Sequence, residues 1–356
     1  MADYTKRVAA ARKRISDQGL DALLVSHPVN IRYLCGYSGS AGLLLVAPKK
    51  NFFLTDFRYQ EQIKREVKAT QRVVIKKDLY SDLLELPGIR DNRRIGFESQ
   101  HLTYDRYDFL RKNLKAVKPA DGVVEQLRTV KQPDEIRKIA AAARIADQAF
   151  SMIIKEIKPG MTELAIAARL DYLLMTLGAS GSSFDTIVGS GPNGALPHVK
   201  PGERRVRKGD FIVLDFGAFH QGYCSDMTRT VVLGKPTARH KEVYGVVLRA
   251  QAAGLAAVKA DVSGKAADGA ARRVIERAGY GRFFGHGLGH GVGMEVHEWP
   301  RLGRLSGDTL QAGNVVTVEP GIYLPGWGGV RIEDLVVVTK TGNRILTGSS
   351  KQLIFI

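Results

Sequence analysis

Four carboxylates and one imidazole in the second half of the chain have the types and settings that could do chemistry. Asp215 interrupts the apolar run FIVLDFGAF, Asp226 lies in GYCSDMTRTVVL, Glu319 in VVTVEPGIY and Glu333 in VRIEDLVVV. Segments this apolar are ordinarily buried, and a buried carboxylate is costly unless it is paired or binds a metal ion. His290 joins them from the glycine-rich stretch GHGLGHGVGMEVHEWP. Taken singly, each has an ordinary explanation: Asp226 could pair with Arg229, and Glu333 with Arg331. Their joint occurrence points to a metal site.

Hard oxygen ligands with a single imidazole suit a pair of divalent ions better than one tetrahedral zinc. Two such ions, about 3.5–4 Å apart, share bridging carboxylates and turn a water molecule into a strong nucleophile near neutral pH. That chemistry is hydrolysis, and it needs groups that polarise the bond to be broken. His198 in NGALPHVKPGE, His286 and His297 are the imidazoles at hand. Asp334, directly after Glu333, faces the other way in an extended segment and is read as a structural partner.

These residues need elements to position them. Residues 1–129 alternate helical and extended patterns: the amphipathic RVAAARKRISDQGL, the strand DALLV, the runs GLLLVAP and NFFLT, a helix over Phe57–Val67, the strand QRVVI, a helix over Leu79–Leu86 and the strand RRIGF. This is a small α/β domain. Pro133, Asp134 and Glu135 then open an alanine-rich helix of about six turns, which places a domain boundary near residue 130. Residues 130–356 carry a faint internal repeat. GMTELAIAARLDYLLMTLGASG and VSGKAADGAARRVIERAGYG each read as a helix closed by glycine, followed by a glycine-rich stretch and two strands with two acids. Asp215 and Asp226 flank a turn around Gly222, and Glu319 and Glu333 flank GIYLPGWGG. A duplicated α/β (α+β) unit folded face to face brings both acid pairs to its centre.

Composition narrows the class. A chain of 356 residues with 44% apolar and 25% charged residues is an ordinary globular protein of two domains. No run approaches the roughly 18 apolar residues of a membrane span, and the start MADYTKRVAAARKRI has no signal-peptide pattern. Cys35 and Cys224 lie far apart in no metal-binding spacing, so a reducing cytoplasm is the expected setting. The net charge of +17 raises the question of nucleic acid, but no zinc finger, RNP-type motif or basic-region heptad accompanies it. A basic surface without a specific nucleic-acid partner is expected.

LDFGAFHQGYCSDMTRT, GHGLGHGVGMEVHEWP, TVEPGIY and RIEDLVVV together resemble the metallopeptidases of the pita-bread fold, which include methionine aminopeptidase, aminopeptidase P and prolidase. NIRYLCGYSGSAGLLLV and LTDFRYQEQ resemble the creatinase-type N-terminal domain of the last two. The resemblance implies two divalent ions, manganese first, with cobalt and zinc as alternatives. Asp215 would chelate the first, His290 and Glu319 would hold the second, and Asp226 and Glu333 would bridge them. Glu319 would also move the proton of the nucleophile, His297 would donate to the scissile carbonyl and His198 would steady the intermediate or leaving nitrogen. Phe184, Ile187, His286, Tyr323 and Arg331 fall at substrate-side positions. The implied activity is hydrolysis of the bond before an N-terminal Xaa-Pro proline, as in aminopeptidase P. The alternative is a prolidase restricted to dipeptides, with Arg58 as the cation for the dipeptide carboxylate. A third reading is a non-catalytic binding protein on the same fold. A homodimer through the N-terminal domain is the assembly implied.

Overall fold

The computed structural model describes residues 2–89 and 94–356. It divides into two compact units, Met1–Arg128 and Thr129–Ile356. The first is a six-stranded mixed sheet in the order Gln71–Val74, Asn51–Thr55, Leu43–Val46, Ala22–Val25, Ile95–Phe97, Val117–Pro119. Its opening helix, Tyr4–Asp17, begins where the Asp3 carboxylate accepts from Lys6 N–H and buries Val8, Ala11 and Ile15 on one face. The segment expected as a helix over 57–67 forms a 3₁₀ turn, Phe57–Tyr59, and then an α-helix, Gln60–Glu66. In the strand expected from RRIGF, Ile95–Phe97 is observed, and Arg93 lies outside the described residues.

The second unit is built of two similar halves. Helix Pro133–Glu156 buries Ile139, Ala142, Ala146, Ala149 and Ile153. With helix Glu163–Thr176 it packs on a sheet ordered Ile354–Phe355, Met227–Val232, Phe211–Phe216, Ile187–Ser190. Helices Ala238–Ala257 and Gly264–Arg277 cover the other sheet, ordered Glu298–Leu302, Gly289–Gly291, Val315–Val318, Asp334–Val338, Asn343–Ile345. The faint sequence repeat has a structural counterpart. Its two helices are both 14 residues long, and a hydroxyl caps each: Thr162 accepts from Ala165 N–H and Ser263 from Ala266 N–H. Each capping residue also forms an isolated bridge, Thr162 with Arg205 and Ser263 with Thr309. Among the described residues no helix is long and apolar enough to cross a membrane.

Behind the sheets, the chain end is tied to their middle. Arg229, 1% exposed, donates to the carbonyl oxygens of Thr228, Glu333, Ser349 and Ser350 and to Asp334 Oδ1. Asp334 also accepts from Gln251 Nε2 at 2.8 Å, Thr347 Oγ1 at 2.9 Å and Lys351 Nζ at 2.5 Å. Arg229 therefore turns away from Asp226, and Asp334 has the structural role expected of it. Removing one partner of a buried ion pair leaves the other uncompensated and costs about 3–5 kcal/mol. Arg229→Met is expected to lower the unfolding free energy of the metal-free protein by about that much. Urea unfolding beside Lys351→Met checks it, because Lys351 is only one of the groups that compensate Asp334 and its loss should cost less.

Candidate metal centre

Strand pairing brings the acids together. Asp215 sits within the fully buried strand Phe211–Phe216 and opposes Thr228. Asp226 immediately precedes Met227, the first residue of the partner strand. In the other half Val318 opposes Asp334, so Glu319 and Glu333 leave the same end of that ladder as neighbours. Ligand oxygens of Asp215, Asp226 and Glu333 lie within 4.8 Å of one another. His290 Nε2 is 3.6 Å from Asp226 Oδ2 and 3.3 Å from Glu319 Oε1. All five residues line a single cavity of about 430 Å³. His290 reaches it because the chain on either side is glycine: a Cβ on Gly289 would lie 2.2 Å from the Thr317 carbonyl oxygen, and one on Gly291 2.3 Å from that of Trp299.

The charges are not balanced by the protein alone. Burial, and then the neighbouring carboxylates Glu333 and Asp215, hold Asp226 well above the usual carboxylate range. Burial, followed by Glu319 and Asp215, does the same to Glu333. Burial raises Asp215 as well, against the pull of Arg331. Glu319 goes the other way: burial pushes it up, but the hydrogen bond and charge of His290, helped by Arg331, bring it down to about 2. His290 is correspondingly raised by Glu319 in spite of its burial. Asp215 Oδ1 is a buried acceptor with no hydrogen-bond partner. An orphaned carboxylate oxygen among acids that resist ionising fits a site for divalent cations.

A threonine in each half orients the ligands. Thr317 Oγ1 accepts from His290 N–H at 3.0 Å and donates to Glu319 Oε1 at 3.0 Å. Thr228 Oγ1 accepts from Arg331 Nε at 3.0 Å and donates its proton to Glu333 Oε2 at 2.7 Å. Arg331 continues to Asp215 Oδ2 at 2.5 Å and to the Tyr323 hydroxyl at 2.7 Å, with no ion pair to Glu333. Because arginine can only donate, the Tyr323 proton points to His286 Nε2, 2.8 Å away. His286 is thereby neutral with its proton on Nδ1, facing the Gly287 carbonyl, and burial lowers its pKa in the same sense. Arg272 fixes the start of the glycine-rich stretch by donating to the carbonyls of Phe284 and His286, while its partner Asp268 accepts from Leu288 N–H.

Phe184, Ile187, His198, His286, His297 and Arg331 all line the cavity. The His297 ring centroid is 4.3 Å from that of His290, and burial, then His290, lowers its pKa. Tyr323 is not among the residues that line the cavity; its hydroxyl meets Arg331 and His286, which do line it. Arg58 belongs to the N-terminal unit, where its fork is engaged by Asp56 at 2.9 Å. Sequence reasoning missed Thr228, Thr317, the lining residue Val296 and Arg301. Arg301 directly opposes His290 in the ladder, and opposed residues put their side chains on the same face. Its charge is also among those that lower His297. A second group of metal-type side chains, His27, His101 and Glu125, lies in the N-terminal unit. There the two imidazoles stack at 3.6 Å and 6°, so their in-plane lone pairs run parallel and do not converge on one ion.

Residues 137–340 match the family model for metallopeptidase family M24, and residues 7–130 match the creatinase/prolidase N-terminal domain. A Pyrococcus horikoshii protein named Xaa-Pro dipeptidase is 40% identical over 94% of this chain and 95% of its own. The solved structure of an Xaa-Pro dipeptidase from Bacillus anthracis superposes with a TM-score of 0.97 at 40% identity, covering 99% of this chain and 100% of that one. A Thermotoga maritima structure described as an X-Pro aminopeptidase gives 0.90 at 38% identity, covering 97% and 100%.

The raised Asp226 and Glu333 make the metal-free protein pH-sensitive in a defined sense. A carboxyl whose folded pKa exceeds its unfolded one holds a proton more tightly when folded, so its contribution to stability is present below the unfolded value, near 4, and is lost as pH rises. The melting temperature of metal-free protein is expected to fall between pH 5 and pH 8. Asp226→Asn should flatten that fall, and saturating Mn²⁺ should reverse it, which differential scanning calorimetry at both pH values measures.

Proposed function

The chain belongs to metallopeptidase family M24, and from that premise we propose that it is a dinuclear metal-dependent prolidase, cleaving Xaa-Pro dipeptides. This reading is preferred to the aminopeptidase expected from sequence because an Xaa-Pro dipeptidase structure superposes at a TM-score of 0.97 with 40% identity, against 0.90 and 38% for the X-Pro aminopeptidase. The observation that carries the dipeptide limit is Arg301. It opposes His290 in the ladder, a register that puts the two side chains on one face, and a guanidinium fork matches the geometry of a free carboxylate.

Asp215, Asp226, His290, Glu319 and Glu333 would hold two divalent ions, manganese first among manganese, cobalt and zinc. When bound, such ions supply Lewis acidity and a water that ionises near neutral pH. The surrounding residues do the rest. Glu319, kept as a carboxylate by His290, is the acceptor for the proton of the attacking water. His297, kept neutral by burial, donates its ring N–H to the scissile carbonyl oxygen as charge develops there. His198, which also lines the cavity, steadies the leaving proline nitrogen. An Xaa-Pro bond offers no N–H and has a fixed φ, so recognition falls to shape and to the two ends of the dipeptide. Phe184, Ile187 and Val296 provide apolar wall for the ring.

The test compares Ala-Pro, Ala-Pro-NH₂ and Ala-Pro-Ala with each of the three metals. Hydrogen bonds to a charged group are worth about 1.5–3 kcal/mol, so kcat/KM for the amide should fall at least about tenfold below that for Ala-Pro. Arg301→Met should raise KM for Ala-Pro by a similar factor and leave the amide unchanged. Comparable cleavage of Ala-Pro-Ala would restore the aminopeptidase reading, and no cleavage of any substrate with any metal would sink the peptidase.

A further inference from the structure

The turn that carries His297 is held by a buried ion pair that takes no part in the reaction. Residues 292–297 link strand Gly289–Gly291 to strand Glu298–Leu302, and both Val296 and His297 line the cavity. The geometry of this turn is therefore part of the geometry of the site. Within it Gly293 N–H donates to the Glu295 carbonyl at 2.9 Å, and the Gly293 carbonyl accepts from Cys224 N–H at 2.8 Å. Glu298 then folds back beneath the turn. Its Oε1 accepts from Met294 N–H at 2.9 Å and from Glu295 N–H at 3.2 Å. Its Oε2 meets Lys131 Nζ at 2.8 Å.

The two side chains are only 1% and 5% exposed. Lys131 is anchored in turn, through its own N–H to the Gly313 carbonyl at 2.9 Å, two residues before the long helix begins. Gly293 completes the arrangement, because a Cβ there would lie 2.4–2.6 Å from the Glu298 carboxylate. A glycine at this position lets the carboxylate lie directly against the main chain.

Stability alone is a poor reason for such a pair. Two desolvated charges commonly contribute no more than apolar residues of the same volume. An apolar pair, however, could not accept two main-chain N–H groups and so shape the turn. We propose that Lys131 and Glu298 are positioning residues for His297 and Val296: Lys131 holds the Glu298 carboxylate in place, and Glu298 is the template on which the turn folds. This rests on the reading of His297 as the donor to the scissile carbonyl, and deepens it by naming what sets that donor in place. Neither residue is one of the five metal ligands, so the pair's effect separates from metal loading.

The experiment measures Mn²⁺ stoichiometry, KM and kcat for Ala-Pro on Mn²⁺-loaded enzyme. Glu298→Gln keeps the shape and an acceptor but removes the charge that Lys131 balances. It is expected to lower kcat about ten- to a hundredfold, the scale of a misplaced catalytic group, with KM changed less than about twofold and two Mn²⁺ still bound. Lys131→Met should act in the same direction and carries the test where Glu298→Gln does not fold. Joining the two changes in one chain should cost less than the product of the single effects. Placed in a His297→Ala background, Glu298→Gln should have little further effect on kcat. A His297→Ala enzyme with undiminished kcat would overturn the donor reading itself. If His297→Ala is impaired but Glu298→Gln with full Mn²⁺ keeps its kcat, the positioning role is overturned. The same follows if the Glu298→Gln loss persists in full without His297.

Discussion

Asp215, Asp226 and Glu333 hold carboxylate oxygens within 4.8 Å of one another in a setting largely shielded from water. Like charges at that range repel by roughly 3 kcal/mol per pair, even at an effective dielectric constant of about 20. Much of the catalytic unit can be understood as a means of keeping this arrangement in place. Asp215 stands within a strand, and Asp226, Glu319 and Glu333 each adjoin a strand end, so their spacing is set by the ladders. Arg331 draws off part of the negative charge through Asp215, and the pKa of Glu319 is held low chiefly by His290, which faces it. The remaining imbalance is what a divalent cation pair would satisfy.

The doubled architecture serves that purpose. Each half contributes a helix pair that covers the outer face of its sheet and acids that leave the inner end of a strand pair. Each also contributes one threonine whose single hydroxyl both accepts and donates, Thr228 beneath Glu333 and Thr317 beneath Glu319. Positioning continues outward through Arg229 and Asp334 to the chain end, through Asp268 and Arg272 to the start of the glycine-rich stretch, and through Lys131 and Glu298 to its finish. That stretch contains five glycines between residues 285 and 300 and has few side chains of its own with which to fix its course. Buried ion pairs from neighbouring elements supply what it lacks.

Much of this was legible in the sequence, because an acid inside an apolar strand is conspicuous. The helices around residues 163–176 and 264–277 could be matched as a repeat from their glycine closures, although identity between them is slight. The supporting residues were not legible, for physical reasons. Thr228 and Thr317 read as ordinary strand formers, and only the register shows which carboxylate each hydroxyl meets. The pairing of Asp226 with Arg229 could have been set aside from alternation, since residues three apart on a strand face opposite sides. Arg331 shares a face with Glu333 by the same rule, yet it reaches across the ladder to Asp215. Lys131 and Glu298 are 167 residues apart, and nothing local links them. Arg301 became significant only when the ladder set it opposite His290.

On the proposed reading, substrate length, the point on which the aminopeptidase and dipeptidase readings part, turns on Arg301, an exposed residue opposite His290 in the ladder. The site itself depends on metal occupancy. The most direct measurement is anomalous scattering from crystals of the protein loaded with Mn²⁺. Two peaks per chain, about 3.5–4 Å apart and each in contact with both Asp226 and Glu333, are the predicted result. A single ion, or two ions that share neither carboxylate, would contradict the account.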